Sequence, residues 1–303
     1  ADGGEAAASE ELFRSRPYLD AEGVTHTLRI ETGQGDLVAP LIVREIPGTQ
    51  ERDAVSPYGF PGIVPAGDRR PEPLEPAAVD WADTGLVSIF ARATALGPHA
   101  LTGTPRGTLQ ISDPAQRRKS RPSDRRQVRR NEADGYTTSV DPGPVTGAEE
   151  RAGFRRVYEQ TMVRTEASDR YFFDAPWFDA VLSSPRTWLV TVVGPEGDVA
   201  AASIAALSDG VLHYFLSGTG DDHLGAAPMK NAVVAEQDLS DELGAPLNLG
   251  GGLRPGDGLE EFKRGFANRQ EPFCAHEVVC DAEAYERLTG EDGAPGLFPA
   301  YRA

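Results

Sequence analysis

At 303 residues the chain has material for two domains of about 150 residues each. Its 39% hydrophobic and 25% charged residues, with a mean hydropathy of −0.39, fit a soluble globular protein and exclude a disordered or fibrous one. No run approaches 18 apolar residues, so no transmembrane helix is expected. Cys274 and Cys280 are the only cysteines, which excludes a disulfide framework and any multi-cysteine zinc site. The acidic start Ala1-Asp-Gly-Gly-Glu5 shows no secretory signal, and a reducing cytoplasm is the expected compartment.

The net charge of −17 argues against a nucleic-acid or anionic-membrane contact through the whole surface. Positive charge is instead concentrated between Arg117 and Arg130, where eight Lys and Arg residues face one acid, Asp124. A solvated helix face and a polyanion contact are both open readings of that segment.

In chain order, residues 24–32 and 36–46 read as strands around a hairpin at Gly33-Gln-Gly35. Pro57-Tyr-Gly-Phe-Pro-Gly-Ile63 demands unusual backbone angles, and residues 65–77 read as an exposed loop. Strands follow at 85–92 and 107–111. The basic segment enters a helix with Pro122 in its first turn and Gly135 at its end, and 136–140 reads as a strand. The Pro/Gly stretch 141–147 is the expected domain boundary, giving domains 1–145 and 146–303. Thr146 and Glu149 form a capping box that opens a helix through about 164, with Phe154, Val157, Tyr158 and Met162 on one face. Strands at 187–193, 199–207 and 211–217 are joined by tight turns. A helix spans 228–243 between Pro228 and Gly244, followed by strand 247–250, a helix over 258–268 behind Asp257 and Glu260, and strand 273–280. The first half reads as a looser version of the second, so two copies of one fold are inferred.

Common catalytic signatures are missing. There is no phosphate-binding G-x-x-x-x-G-K-[ST], no strand-following G-x-G-x-x-G, no H-E-x-x-H and no G-x-S-x-G. The five histidines have no ligand spacing, so no metal is expected. In the helix over 258–268, Leu259, Phe262 and Phe266 form an inward stripe with Lys263 at its edge. A lysine there can donate to a developing oxyanion, or simply lie along apolar neighbours at the surface. Gly250, Gly251 and Gly252 end a strand where a ligand backbone can approach closely; a plain tight turn explains them as well.

The distinctive run is Tyr214-Phe-Leu-Ser-Gly-Thr219, then Leu247-Asn-Leu-Gly-Gly-Gly252, then Asp257-Gly-Leu-Glu-Glu-Phe-Lys-Arg-Gly-Phe266. With Thr161-Met-Val-Arg164 and Tyr171-Phe-Phe173 upstream, it resembles the Fem family of non-ribosomal peptidyltransferases. In the first half the likeness touches Tyr58-Gly-Phe-Pro-Gly62 and the basic stretch Arg125 to Arg130. The resemblance implies an α/β (α+β) protein of two tandem GNAT-like domains, each a mixed, mostly antiparallel sheet flanked by helices. It implies transfer of an amino acid from aminoacyl-tRNA to an amine, with no cofactor and no covalent enzyme intermediate. Lys263 and Phe262 would be catalytic, the Lys side chain and adjacent backbone meeting the tetrahedral intermediate. Tyr58, Phe60, Arg164 and the three glycines would bind substrate, and Arg125, Arg126, Arg129 and Arg130 would bind tRNA. The chain has no heptad segment for a coiled-coil arm, and its first-half Pro/Gly signature is abbreviated. Both favour a small peptide or natural-product acceptor, as in antibiotic biosynthesis, over a peptidoglycan precursor. A monomer with no membrane contact is expected.

A CoA-dependent N-acyltransferase on the same fold is the alternative. Its nearest pyrophosphate loop is Asp222-His-Leu-Gly225-Ala-Ala227, with Asp221 before it, and two carboxylates there repel a diphosphate. The loop also follows a strand other than the expected one. A non-catalytic binding module is the second alternative.

Overall fold

The computed structural model describes residues 1–67, 72–97, 99–290 and 296–302. The chain opens with α1 (Arg16–Ala21), β1 (His26–Ile30), β2 (Leu37–Glu45), β3 (Arg52–Val55), β4 (Val64–Pro65), β5 (Ser88–Arg92) and β6 (Thr104–Ser112). It continues through α2 (Pro122–Ala133), β7 (Thr137–Pro142), α3 (Ala148–Arg164) and α4 (Ala175–Leu182). Then come β8 (Thr187–Val193), β9 (Val199–Ser208), β10 (Val211–Thr219), α5 (Met229–Leu243) and β11 (Leu247–Gly250). The last elements are α6 (Gly258–Arg264), β12 (Arg269–Val279) and α7 (Ala282–Thr289).

Two compact units result, Ala1–Arg106 with Pro272–Ala303, and Gly107–Glu271. In the first, the strands run in the order β1-β2-β3-β5-β12, antiparallel except for the parallel pair β3 and β5. Period-two alternation puts Leu37, Ala39 and Leu41 of β2 on one face, where Trp81, Leu86 and Leu101 cover them. The expected loop 65–77 is less featureless than its prolines suggest. It begins in β4, and Leu74 bridges Leu101; residues 68–71 lie outside the described part.

In the second unit the order is β6-β11-β10-β9-β8-β7, antiparallel except for β10 beside β11. The expected meander is present as β8, β9 and β10. Helix α3 lies directly on β10: a Cβ at Gly218 would meet the Val157 carbonyl oxygen at 2.3 Å, so only glycine fits. Helix α5 packs on the sheet through Ala232, Val233 and Leu239, against Val190, Val192, Ala201 and Ala205. Proline 228 and left-handed Gly244 bound that helix as the sequence suggests.

Three expectations change. The stretch 141–147 lies inside the second unit, because Asp141 and Pro142 pair with Leu189 and Trp188, and the compact units part at 106/107 and 271/272. The capping box is not formed: the N-cap of α3 is Gly147, with no side-chain cap bond. Helix α6 is also shorter than 258–268, ending at Arg264.

Candidate active site

Strands β10 and β11 pair only through Leu212 with Leu247 and His213 with Asn248. Beyond that point β10 bulges between Tyr214 and Leu216, while β11 shifts register against β6 between Asn248 and Gly250. Both irregularities fall where the parallel pairing ends. Asn248 stabilises the departure, its Oδ1 accepting from the Gly250 amide at 2.9 Å.

Gly250 has φ 78° and ends the strand. A Cβ there would lie 3.0 Å from Lys263 Nζ; one at Gly251 would lie 2.7 Å from the Thr108 carbonyl oxygen, and one at Gly252 2.4 Å from the Asp257 carboxylate. Close packing against backbone thus requires glycine at 251, the left-handed φ favours it at 250, and at 252 the Asp257 carboxylate would have to shift. Asp257 then starts α6, accepting from the amides of Leu253 (2.7 Å), Arg254 (2.9 Å) and Glu260 (2.8 Å). These backbone donors, Glu260 first, hold its carboxyl below the usual range.

Lys263 is buried, at 9% exposure, and its Nζ donates to the Gly251 carbonyl at 2.8 Å. Burial brings its ammonium down to about 8. The ammonium lies 5.9 Å from the centre of the Tyr214 ring. Its neighbour Phe262 is half-buried and meets Phe266 edge-on at 5.5 Å. Leu259, expected inside, is 41% exposed. With α6 ending at Arg264, Phe266 is reached through a turn, so residues 259, 262 and 266 do not share one helical face. Lys263 takes the inward position.

The other expected site residues are distributed as follows. Arg164, at the end of α3, is held within its own unit by Asp221, the Thr219 carbonyl and Thr161 Oγ1. Arg125, Arg126, Arg129 and Arg130 are all exposed on α2. Arg125 bonds the Ser120 carbonyl, and Arg130 pairs with Asp134 at 3.5 Å. Arg126 and Arg129 make no ion pair among the described residues. The same basic segment also staples the unit: Arg118 donates to Gln237 and the Val234 carbonyl, and Arg121 to the Glu261 carbonyl at 2.8 Å. Tyr58 and Phe60 belong to the first unit. The Tyr58 ring lies under the Arg92 guanidinium at 4.8 Å, and Phe60 packs on Phe13 and Phe273. Both side chains are half-buried within that aromatic cluster.

The segment Asp221–Ala226 leads from β10 into α5 and keeps its acidic charge, with Asp221 paired to Arg164. Among the described residues no group of His, Cys, Asp and Glu is arranged to hold a metal. No helix of these residues is long and apolar enough to cross a membrane.

Sequence reasoning missed one residue beside this site. Glu236 of α5 is fully buried, and burial pushes its carboxyl up to about 8. The available signal was an acid on the apolar face of a helix, three or four positions from Ala232, Val233 and Leu239.

Solved structures share this architecture across nearly the whole chain. FemX superposes with a TM-score of 0.63 at 11% identity, over 94% of this chain and 96% of its own. The C-terminal domain (DUF2156) of a "putative lysylphosphatidylglycerol synthetase" from Agrobacterium fabrum gives 0.61 at 15%, over 93% of each chain. The fold is GNAT-like. L-PGS from Bacillus licheniformis gives 0.54 at 14%, over 87% of this chain and 90% of its own. At these identities the likeness is one of fold. No protein-family model matches the chain, and no curated protein matches it in sequence.

Proposed function

We propose that this GNAT-like protein is an aminoacyltransferase that moves an amino acid from aminoacyl-tRNA to an amine of a small peptide or natural product. The observation that carries the proposal is the buried Lys263 ammonium, held at 2.8 Å by the Gly251 carbonyl at the end of β11. An ammonium has three N–H donors, and one serves this carbonyl. The others are available to an oxyanion.

Aminolysis of an aminoacyl ester is downhill, so the protein needs to position two substrates and stabilise the tetrahedral intermediate. The amine nitrogen forms the new C–N bond, the ester carbonyl oxygen becomes the oxyanion facing Lys263, and the ribose oxygen departs. No enzyme nucleophile takes part. On this reading the two units, Ala1–Arg106 with Pro272–Ala303 and Gly107–Glu271, rather than 1–145 and 146–303, are two copies of the GNAT-like fold. Tyr58, Phe60 and Arg164 serve substrate from behind the contacts described above, and Arg126 and Arg129, with Arg125 and Arg130, meet tRNA phosphates.

Two independent lines support the reading. The motifs around Lys263 resemble those of the Fem family, and FemX has the same fold. The name lysylphosphatidylglycerol synthetase, carried by another neighbour, likewise describes joining an aminoacyl group to an acceptor. Among the described residues the longest helix is α3, of 17 residues, with no arm of the coiled-coil kind. That favours a small acceptor over a muropeptide.

The test is incubation with total tRNA charged with radiolabelled amino acids, plus a small-metabolite extract. Label should move into products that survive mild base, which cleaves esters and spares amides. Acyl transfer from acetyl-CoA to an amine with no dependence on tRNA would overturn the proposal in favour of the CoA-dependent reading.

A further inference from the structure

The face of the sheet covered by α5 carries polar side chains within an apolar layer. Antiparallel pairing sets Ser203 of β9 opposite Ser217 of β10, and Ala205 opposite Tyr214. Residues three apart on a regular strand point to opposite faces. The bulge between Tyr214 and Leu216 cancels that offset and brings Ser217 back to the Tyr214 face. The Ser217 hydroxyl sits near enough to the Tyr214 phenol to act on its ionisation, opposing the upward push of burial.

Directly opposed residues of an antiparallel pair have Cβ atoms about 5 Å apart, so Ser203 and Ser217 are neighbours. Ser203 Oγ in turn donates to Glu236 Oε1 at 2.5 Å. Glu236 is 0% exposed, and its second oxygen, Oε2, is buried without a partner. A line of oxygens thus runs from the half-buried Tyr214, under the Lys263 ammonium, to a sealed carboxyl. A buried carboxyl with one unpaired oxygen destabilises a fold relative to an apolar side chain of equal size, so packing alone does not explain it.

We propose that Glu236 is the proton acceptor of the transfer reaction, reached through Tyr214, Ser217 and Ser203. The inference rests on the aminoacyl-tRNA reading above. When the amine attacks, its nitrogen lone pair forms the C–N bond and the nitrogen must shed a proton. That proton enters at the Tyr214 oxygen, each hydroxyl passes its own proton onward, and the Glu236 carboxylate takes the last. As the ester C–O bond breaks, the proton returns along the same line to the departing ribose oxygen. Net charge is unchanged and Glu236 is regenerated. Having no contact with substrate, Glu236 acts through Tyr214 as a positioning and proton-holding residue.

Burial keeps the Glu236 carboxyl near 8, where it gains and loses a proton at ordinary working pH. The Glu236 charge adds to the upward shift of the Tyr214 phenol, while the shift of Glu236 itself comes from burial, opposed by the Ser203 hydrogen bond.

Glu236→Gln preserves the shape and the acceptor for Ser203 but holds no exchangeable acid proton. Turnover from charged total tRNA should fall about 10²-fold, with KM for aminoacyl-tRNA changed less than threefold. The acid limb of the kcat profile, governed by Glu236 in the wild type, should be lost. Isotope-edited infrared spectra of the Glu carboxyls at pH 6 should show one buried protonated band in the wild type and none in the variant. If Glu236→Gln fails to fold, Ser217→Ala breaks the line at its half-buried end and should lower kcat about as far. Wild-type kcat and pH profile in either folded variant would refute the proton line alone. Absence of transfer by the wild type, with the buried band present, would refute the aminoacyl-tRNA reading and the proton line with it.

Discussion

Replacing Lys263 with Met keeps the unbranched stem against its apolar neighbours and deletes the charge and the 2.8 Å bond to Gly251. The consequences for turnover and for stability have opposite signs. Loss of one oxyanion donor typically lowers kcat about 10²–10³-fold, or about 3–4 kcal/mol. Because the charge develops only at the transition state, KM for aminoacyl-tRNA should change little. For stability, burial moves the ammonium from 10.5 to about 8. At about 1.4 kcal/mol per pH unit, that is about 3 kcal/mol against the charged form in the folded protein.

The unfolded chain keeps its proton up to the higher value, so between about pH 8 and 10.5 it binds more protons than the native state. Wild-type stability should therefore rise with pH across that window. Lys263→Met removes the desolvated charge but leaves the Gly251 carbonyl without this donor, at a cost of about 1–3 kcal/mol. Near pH 7 its stability should match or slightly exceed that of the wild type, and it should lack the extra rise above pH 8. Urea titrations at several pH values and steady-state transfer assays measure both effects. A folded Lys263→Met protein with wild-type kcat would refute the oxyanion role. A wild type and variant with parallel stability profiles through pH 8–10 would refute the buried-charge argument.

Further outcomes are expected. Deprotonation of Lys263 should reduce kcat above about pH 8, an alkaline limb that disappears in Lys263→Met. Replacing Arg126 and Arg129 with Gln should weaken tRNA binding and reduce the log–log salt slope by about 1–2, read by filter binding, without changing the melting temperature. Arg118→Gln and Arg121→Gln should do the reverse, lowering stability by about 1–2 kcal/mol each with the slope unchanged, because those side chains bond Val234, Gln237 and Glu261 of their own unit. Gly250→Ala should destabilise by about 1–2 kcal/mol from its positive φ and lower kcat by crowding Lys263 Nζ, whereas Gly258→Ala, which meets nothing, should be mild in both.

Much of the second unit is legible in the amino-acid sequence alone. Apolar runs broken at Pro195-Glu-Gly-Asp198 and Asp209-Gly210 mark strands β8, β9 and β10, and Pro228 and Gly244 mark α5. These signals are local, since backbone propensity and turn chemistry act over a few residues. Lys263 is also reachable, through the motif around it. Its burial is not, because a seven-residue helix that stops at Arg264 turns Leu259 outward and Lys263 inward, and no stripe of side chains specifies where a helix ends.

What depends on distant parts of the chain stays hidden in the sequence. The Pro/Gly stretch at 141–147 has the composition of a linker, yet β7 continues through Asp141 and Pro142 as a partner of β8. Strand β12 leaves the second unit to pair with β5, which joins the C-terminal residues to the first. The glycines at 250–252 suggest room for a ligand; they make room for Lys263, Thr108 and Asp257. Glu236 is visible as an acid among apolar residues, but only strand register and the bulge at Tyr214 align it with Ser203, Ser217 and Tyr214. Periodicity in the sequence determines which elements form and which face each buries. Register, strand partner and helix end are settled by contacts between residues tens of positions apart, and those contacts assemble the site.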